Sequence, residues 1–487
     1  MFRLLEPANH STSPDASSIV MFGKRWVICE YAQIADAPPY TCLSYAWGEE
    51  KVRNSLINEG PEISAMTVPS LGAAIASSQS QQCWADNIKF SHKGEADKEE
   101  AGQLAALKAS QAFWIDAFCV PPHGPARAAC LQEMGRIYSA AFQVIVVLTK
   151  QCSSAIKRVS HTEGIETCAL LSLEREDWVS RAWTYQEAVN SRALYFTVED
   201  EENPIVSGND FLRTIVYAIE EYKKLHEFSN ITWVQTHPGL NNLEMLLADY
   251  LIADYTDRSA YQVMSVMGQR ISERPEDFFY AMTGSITTAS SMLEEGETLL
   301  PAEYFMSVCE QKGDFSFIYN TAPRSEIEGQ GWRPLEEKFS AVLPGLIIFG
   351  NGEAGVRETK HITLEKMFRP IPGAIAADGL KAASWFMGPQ SEGLLSDAVA
   401  SGILKRLRVL GFTGCGEYLE FETGFFFPQS KPQLSEGLFV AISCEINWVT
   451  GGPGLLLRSN TSDINDFVDV GAFVGRNPKS GQPLNVG

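Results

Sequence analysis

Apolar and polar positions alternate at two different periods along this chain, and the period changes twice. Short β-type runs separated by helical stretches fill the first part. Arg25 to Cys29 (RWVIC) reads as a strand, after an irregular polar segment from Asn9 to Ser18. Pro38-Pro39 then breaks the chain ahead of YTCLSYAW, Tyr40 to Trp47, a strand ending at Gly48. Val68 to Ser77 opens with Pro69 and reads as a helix. Asn87 to Glu100 is charged and reads as a surface insertion, and Gln103 to Gln111 is helix-prone. FWIDAFCV, Phe113 to Val120, reads as an apolar strand with one acid in it, ended by Pro121-Pro122. Ala126 to Ala140 places Cys130, Met134, Ile137 and Ala141 at helical spacing. Val144 to Leu148 is the next strand, and a helix carrying Arg181, Trp183, Gln186 and Glu187 follows.

Strand–helix alternation of this kind predicts an α/β fold with a mainly parallel sheet flanked by helices. Ligands in such sheets collect at the carboxyl ends of strands. From Asn209 to Gly268 the texture is helical, continued by Arg274 to Thr283 and Pro301 to Cys309. After Gly329 the chain turns rich in Gly, Pro and Phe. GLIIFG, RLRVLGF, YLEFETGFFF and GLFVAISC there read as short strands. The expected domains are therefore 1–205 (α/β), 206–328 (helical) and 329–487 (a small β-rich region).

The 487 residues carry a formal net charge of −21. That charge argues against nucleic-acid binding and against an anionic membrane surface, since both need an excess of Lys and Arg. A nucleotide ligand would need a local cationic patch. Ten cysteines are scattered without a CxxC pair, the usage of a reduced compartment. No signal-peptide pattern or membrane-length apolar run is present, which points to a soluble cytoplasmic protein.

Several motifs invite chemistry. GNGEAG, Gly350 to Gly355, fits GxGxxG after the strand-like Leu346 to Phe349. VRETKHITLEKMF after it makes a poor helix, and Glu353 would face the phosphates, so a hairpin turn is the better reading. Cys119 and His123 suggest a thiol–imidazole pair, but Pro121 and Pro122 between them forbid a helix, and a strand-end cysteine is most simply a buried apolar residue. Histidines and cysteines have no zinc-ligand spacing. Asp116, an acid in an apolar strand, is either ion-paired with Arg127, Arg136 or Arg181 or holds a ligand hydroxyl. Ser44, Tyr45, Trp47 and Gly48 at one strand end are either core packing or a wall for a flat ring, with glycine permitting close approach. Trp183 and Glu187, four apart, share a helix face. Glu187 is then either a solvated acid or a carboxylate held beside an indole.

LSYAWGE (Leu43 to Glu49), FWIDAFCV with EMGRIYSAAFQVIVVL (Glu133 to Leu148), and RAWTYQE (Arg181 to Glu187) resemble, in order and spacing, the three motif blocks of the fungal heterokaryon-incompatibility (HET) domain. The family's second block usually continues Cys-Ile-Asn-Gln, where this chain has Cys119-Val120-Pro121-Pro122. The HET domain in turn resembles Toll/interleukin-1 receptor (TIR) domains, some of which cleave NAD with a helix glutamate. The resemblance implies a TIR-like α/β domain in programmed cell death or incompatibility signalling, with NAD as a substrate rather than a bound cofactor. Glu187 takes the catalytic position. The substrate-binding set is Ser44, Tyr45, Trp47, Gly48, Trp114, Asp116, Arg181, Trp183 and Gln186. The implied partners are a nucleotide-like small molecule, further copies of the chain or other signalling proteins. Two other classes stay open, a non-enzymatic interaction module and a HET-like fold adopted for small-molecule biosynthesis.

Overall fold

The computed structural model describes the chain apart from residues 9–17, 22, 54–61, 80–110, 200–203, 229, 253–257, 288–299, 328, 336–338, 345–349, 351, 389–392, 413–416, 431–435 and 461–462. The expected surface insertion Asn87 to Glu100, the strand-like Leu346 to Phe349, and nearly all of the helix-prone Gln103 to Gln111 and the polar Asn9 to Ser18 lie outside the described residues. Two compact units emerge. The first comprises Met1–Glu227, Gly239–Tyr255 and Thr283–Glu297, and the second Phe228–Pro238, Thr256–Met282 and Thr298–Gly487. The helices of the 206–328 interval are thus shared out between them.

The first unit is built on β1 (Phe2–Pro7), β2 (Ser18–Met21), β3 (Lys24–Tyr31), β4 (Tyr40–Tyr45), β5 (Lys51–Val52), β6 (Ile63–Ser64), β7 (Ala112–Trp114), β8 (Gln143–Leu148), β9 (Leu194–Val198) and β10 (Val206–Ser207). Its main sheet has the order β10-β9-β8-β4-β7-β1-β3-β2. The central strands β9, β8, β4 and β7 run parallel. Antiparallel strands flank them on both sides. Strands β4, β8 and β9 are buried at every position, which is why they read as apolar runs without alternation. Strand β4 comes first in sequence among the parallel four, yet β7 lies on one side of it and β8 on the other. The strand order therefore reverses at β4, the place where open α/β sheets bind ligands beyond the strand ends.

FWIDAFCV is not one strand. Strand β7 stops at Trp114, and Asp116–Cys119 form a single helical turn. Ile115 is still extended, and its carbonyl accepts from the Cys119 N–H at 2.8 Å. Asp116 Oδ1 takes the Ala117 N–H at 2.7 Å, and an acid in a first helical turn is favoured by the helix dipole. Asp116 is thus the second residue past the end of β7. The expected helix Ala126 to Ala140 is two helices, Pro125–Gln132 and Met134–Ala140. The break is at Glu133, where ψ falls to −2°. The second helix is tied to β4 by Tyr40 Oη donating to the Ile137 carbonyl (2.7 Å) and Tyr138 Oη donating to the Leu43 carbonyl (3.1 Å).

The second unit contains β11 (Gly355–Arg357), β12 (Ile362–Phe368), β13 (Leu419–Phe421), β14 (Gly424–Pro428), β15 (Leu438–Ser443), β16 (Gly452–Arg458), β17 (Asp466–Gly475) and β18 (Gln482–Val486). They form one antiparallel sheet, β11-β12-β15-β16-β17-β14-β13, with β18 also paired to β12. Phe421, Phe426, Val440, Ile442, Leu456 and Phe473 make its core. RLRVLGF is a correction to the strand reading. Its first residues finish the helix Ser396–Val409, whose buried Val399, Ala400, Ile403, Leu404 and Leu407 follow helical spacing.

Candidate functional site

Ser44 lies near the end of β4, fully buried. Its Oγ accepts the Trp178 indole N–H at 2.7 Å and donates to Glu187 Oε2 at 2.5 Å. Trp178 and Glu187 come from neighbouring short helices, Asp177–Ser180 and Ala182–Val189. Glu176 caps the first of these through the Trp178 N–H and also takes the Thr149 hydroxyl at 2.6 Å. Glu187 is 6% exposed, so it is not a solvated surface acid. Burial pushes its carboxyl up to about 8; the Asp116 charge raises it further, while the Ser44 and Tyr138 hydroxyls and the Arg181 charge pull it down.

A second carboxyl stands at the end of the adjacent strand. Asp116 Oδ2 accepts the Trp47 indole N–H at 2.9 Å. Burial raises this carboxyl too, against the Ala117 N–H, the Tyr45 hydroxyl, Trp47 and the Arg181 charge. Tyr45 Oη also meets Thr67 Oγ1 at 2.8 Å. Arg181 Nη1 donates to the Trp47 carbonyl at 3.1 Å, and the guanidinium charge acts on both carboxyls. The Gly48 N–H donates to Ser64 Oγ at 3.2 Å, anchoring the β5–β6 ribbon. The Lys51 ammonium of that ribbon sits 4.9 Å from the Trp47 ring centroid.

The geometry therefore brings together Ser44, Tyr45, Trp47, Gly48, Asp116, Arg181 and Glu187. Glu187, Ser44 and Trp178 lie deep, and Trp47, Gly48, Asp116 and Arg181 are partly open to solvent. Three of the expected residues stand differently. Trp114 is fully buried with its ring edge-on to Tyr138 at 5.4 Å, so it packs in the core. Trp183 is half-buried; the indole bonded to Glu187 through Ser44 is Trp178. Gln186 is fully buried, and neither end of its amide has a hydrogen-bond partner. It fills a notch where Gly135 meets Gly284. A Cβ on Gly284 would fall 1.7 Å from Gln186 Oε1, and one on Gly135 would fall 2.4 Å from the Gly284 carbonyl. Trp178, Thr67, Tyr138 and Lys51 are site residues that sequence reasoning missed. Trp178 sits on a separate helical turn from Glu187, so no spacing rule connects the two.

Other motifs close without a site. Gly355 opens β11 rather than a helix, so GNGEAG does not form a dinucleotide loop. Its Glu353 is fully buried under the Tyr319 hydroxyl (2.8 Å), and burial pushes it up to about 8. Cys119 is buried with its thiol raised by desolvation, whereas His123 is exposed. Among the described residues there is no cluster of His, Cys, Asp and Glu able to hold a metal, and no helix long and apolar enough to cross a membrane. A surface groove of about 1010 Å³ beside β10, lined in part by His161, Arg213 and Tyr217, contains none of the site residues.

Residues 40–170 match the family model described as heterokaryon incompatibility protein (HET). The matched segment lies within the first unit. It takes in Ser44, Tyr45, Trp47, Gly48 and Asp116, and it ends before the helix that carries Glu187. No curated protein and no solved structure matches the chain.

Proposed function

We propose that the HET domain supports a heterokaryon-incompatibility-type function by cleaving the nicotinamide–ribose bond of NAD, with Glu187 as the catalytic carboxyl. One observation carries this reading. A buried glutamic acid, a second acid and an arginine converge at the carboxyl ends of two adjacent parallel strands, where the strand order reverses. The resemblance to NAD-cleaving TIR domains, which place a helix glutamate after the same strand order, supports it.

The chemistry suits these groups. When the N-glycosidic bond breaks, its electron pair neutralises the nicotinamide ring nitrogen and leaves positive charge on the ribose. A carboxylate in a desolvated site stabilises that charge and can hold the ribose hydroxyls. Water then adds to the sugar carbon, and its proton leaves through the carboxylate to solvent. Glu187 is pushed up to about 8 and is largely neutral near pH 7; an arriving cation favours its ionised form. Arg181 is placed to offset the chain's charge of −21 at a diphosphate.

A second reading has its own observation. Ser44, Trp178 and Glu187 satisfy one another internally, which is also what a fold-holding network in a non-enzymatic signalling module requires. The test is nicotinamide release from NAD by the purified full chain, alongside Glu187→Gln and Glu187→Ala. Release by the parent that drops at least about a hundredfold in both variants supports cleavage, the scale of a lost charge-stabilising group. A folded parent that releases nothing at high concentration leaves the signalling module.

A further inference from the structure

Trp47 is the hub of the site mouth, and three of its groups are engaged at once. Its indole N–H is given to Asp116, its carbonyl takes Arg181, and its ring faces the Lys51 ammonium. The third contact is the informative one. Lys51 is exposed, and its other bond is a long one, 3.4 Å to the Gly48 carbonyl. Among the described residues no ion pair holds it. What holds the ammonium at Trp47 is the ring face itself, a cation–π contact. Donation of the indole N–H to the Asp116 carboxyl makes that face more electron-rich. The face is therefore built to receive a cation.

The ligand class in the proposed reaction presents a cation of the matching shape. The reacting end of an oxidised nicotinamide dinucleotide is a flat ring with a fixed positive charge, and its reduced form is neutral there. We propose that the Trp47 face is the receptor for this pyridinium ring and that Lys51 is an internal stand-in for it, an ammonium that the ligand must displace. This rests on the glycohydrolase reading and extends it. Lys51 then sets the affinity of the site, and Trp47 selects a positively charged ring over a neutral one.

Calorimetric titration of the full chain with 1-methylnicotinamide, methylated on the ring nitrogen and so a permanent pyridinium, and with uncharged nicotinamide tests this. Lys51 is on the surface, so Lys51→Met is expected to fold, and circular dichroism checks it. The parent should prefer the cation. Lys51→Met should tighten its binding about two- to fivefold, the scale of an exposed cation–π contact, and leave nicotinamide binding unmoved. Adding Trp47→Leu should erase the gain. Unchanged or weaker binding of the cation in Lys51→Met, equal affinity for both probes, or binding of neither overturns the inference. Nicotinamide release from NAD, followed in parallel, separates the two proposals. Release that depends on Glu187 but is joined by no Lys51 effect keeps the cleavage reading and sinks this one. A Lys51-dependent affinity without any release does the reverse.

Discussion

Ser44 Oγ and Glu187 Oε2 are 2.5 Å apart although 143 residues separate them in the chain. The hydroxyl is spent twice, since it also accepts the Trp178 indole N–H. Ser44→Ala removes both bonds and leaves a buried N–H and a buried carboxyl under-satisfied. It is expected to cost about 1–3 kcal/mol of stability, read from urea unfolding of the full chain. A loss well below 1 kcal/mol would mean that water or another group already serves Glu187.

Stability should fall as pH rises from about 5 to 8. Glu187 lies near 8 in the folded chain against an ordinary 4.5. Because the folded value is the higher one, its contribution is complete below the unfolded value and is lost as pH climbs through the folded one. Each such group adds a slope of about 1.4 kcal/mol per pH unit inside that window. Glu187→Gln should flatten the curve by that amount, and Glu353→Gln, removing the second buried acid, should do so independently. Parallel curves for Glu187→Gln and the parent would refute the raised value.

The notch around Gln186 sets a packing limit. Gly284→Ala puts a methyl group 1.7 Å from Gln186 Oε1, so the amide must move within a closed core. A loss of about 1–3 kcal/mol is expected. In a Gln186→Ala background the same change should cost less, because the obstructing atom is gone. A double-mutant cycle showing no coupling would show that the backbone, not Gln186, takes up the strain.

Thiol chemistry should follow exposure. Cys168 is exposed, while Cys42, Cys119, Cys152 and Cys309 are buried with thiols raised by desolvation. Iodoacetamide on the native chain, read by peptide mass spectrometry, should modify Cys168 well before Cys119. Early modification of Cys119 would reopen a nucleophilic role for it.

The parallel core was legible because β4, β8 and β9 are buried on both faces and so read as unbroken apolar runs. β1 was not, since Phe2 to Pro7 becomes a strand only through its pairing with β3 and β7, partners no local pattern names. The turn at Asp116 was hidden for a related reason. Ile115 to Val120 is apolar enough for a strand, and its helical turn shows only in the backbone bonds from Cys119 to Ile115 and from Val120 to Asp116. In the site, motif order singled out Glu187 and Ser44, but the hydrogen-bonded indole is Trp178, and four-residue spacing pointed to Trp183 instead. Lys51 had no signal, because a lysine in a charged turn looks like solvated surface until the ring beneath it is seen.

The helix that carries Glu187 is gripped at two further points. Tyr185 Oη donates to Asp249 Oδ2 at 2.8 Å, and Asn190 Nδ2 donates to the Gly284 carbonyl at 2.5 Å. Both partners reach the first unit only after the chain has left it and come back. A fragment ending soon after Val198 would keep every residue of the site and lose both of these restraints. During synthesis the same order holds. The acid, its serine and its tryptophan all leave the ribosome before the segments that steady them, so the site is completed last by sequence that contributes nothing to its chemistry.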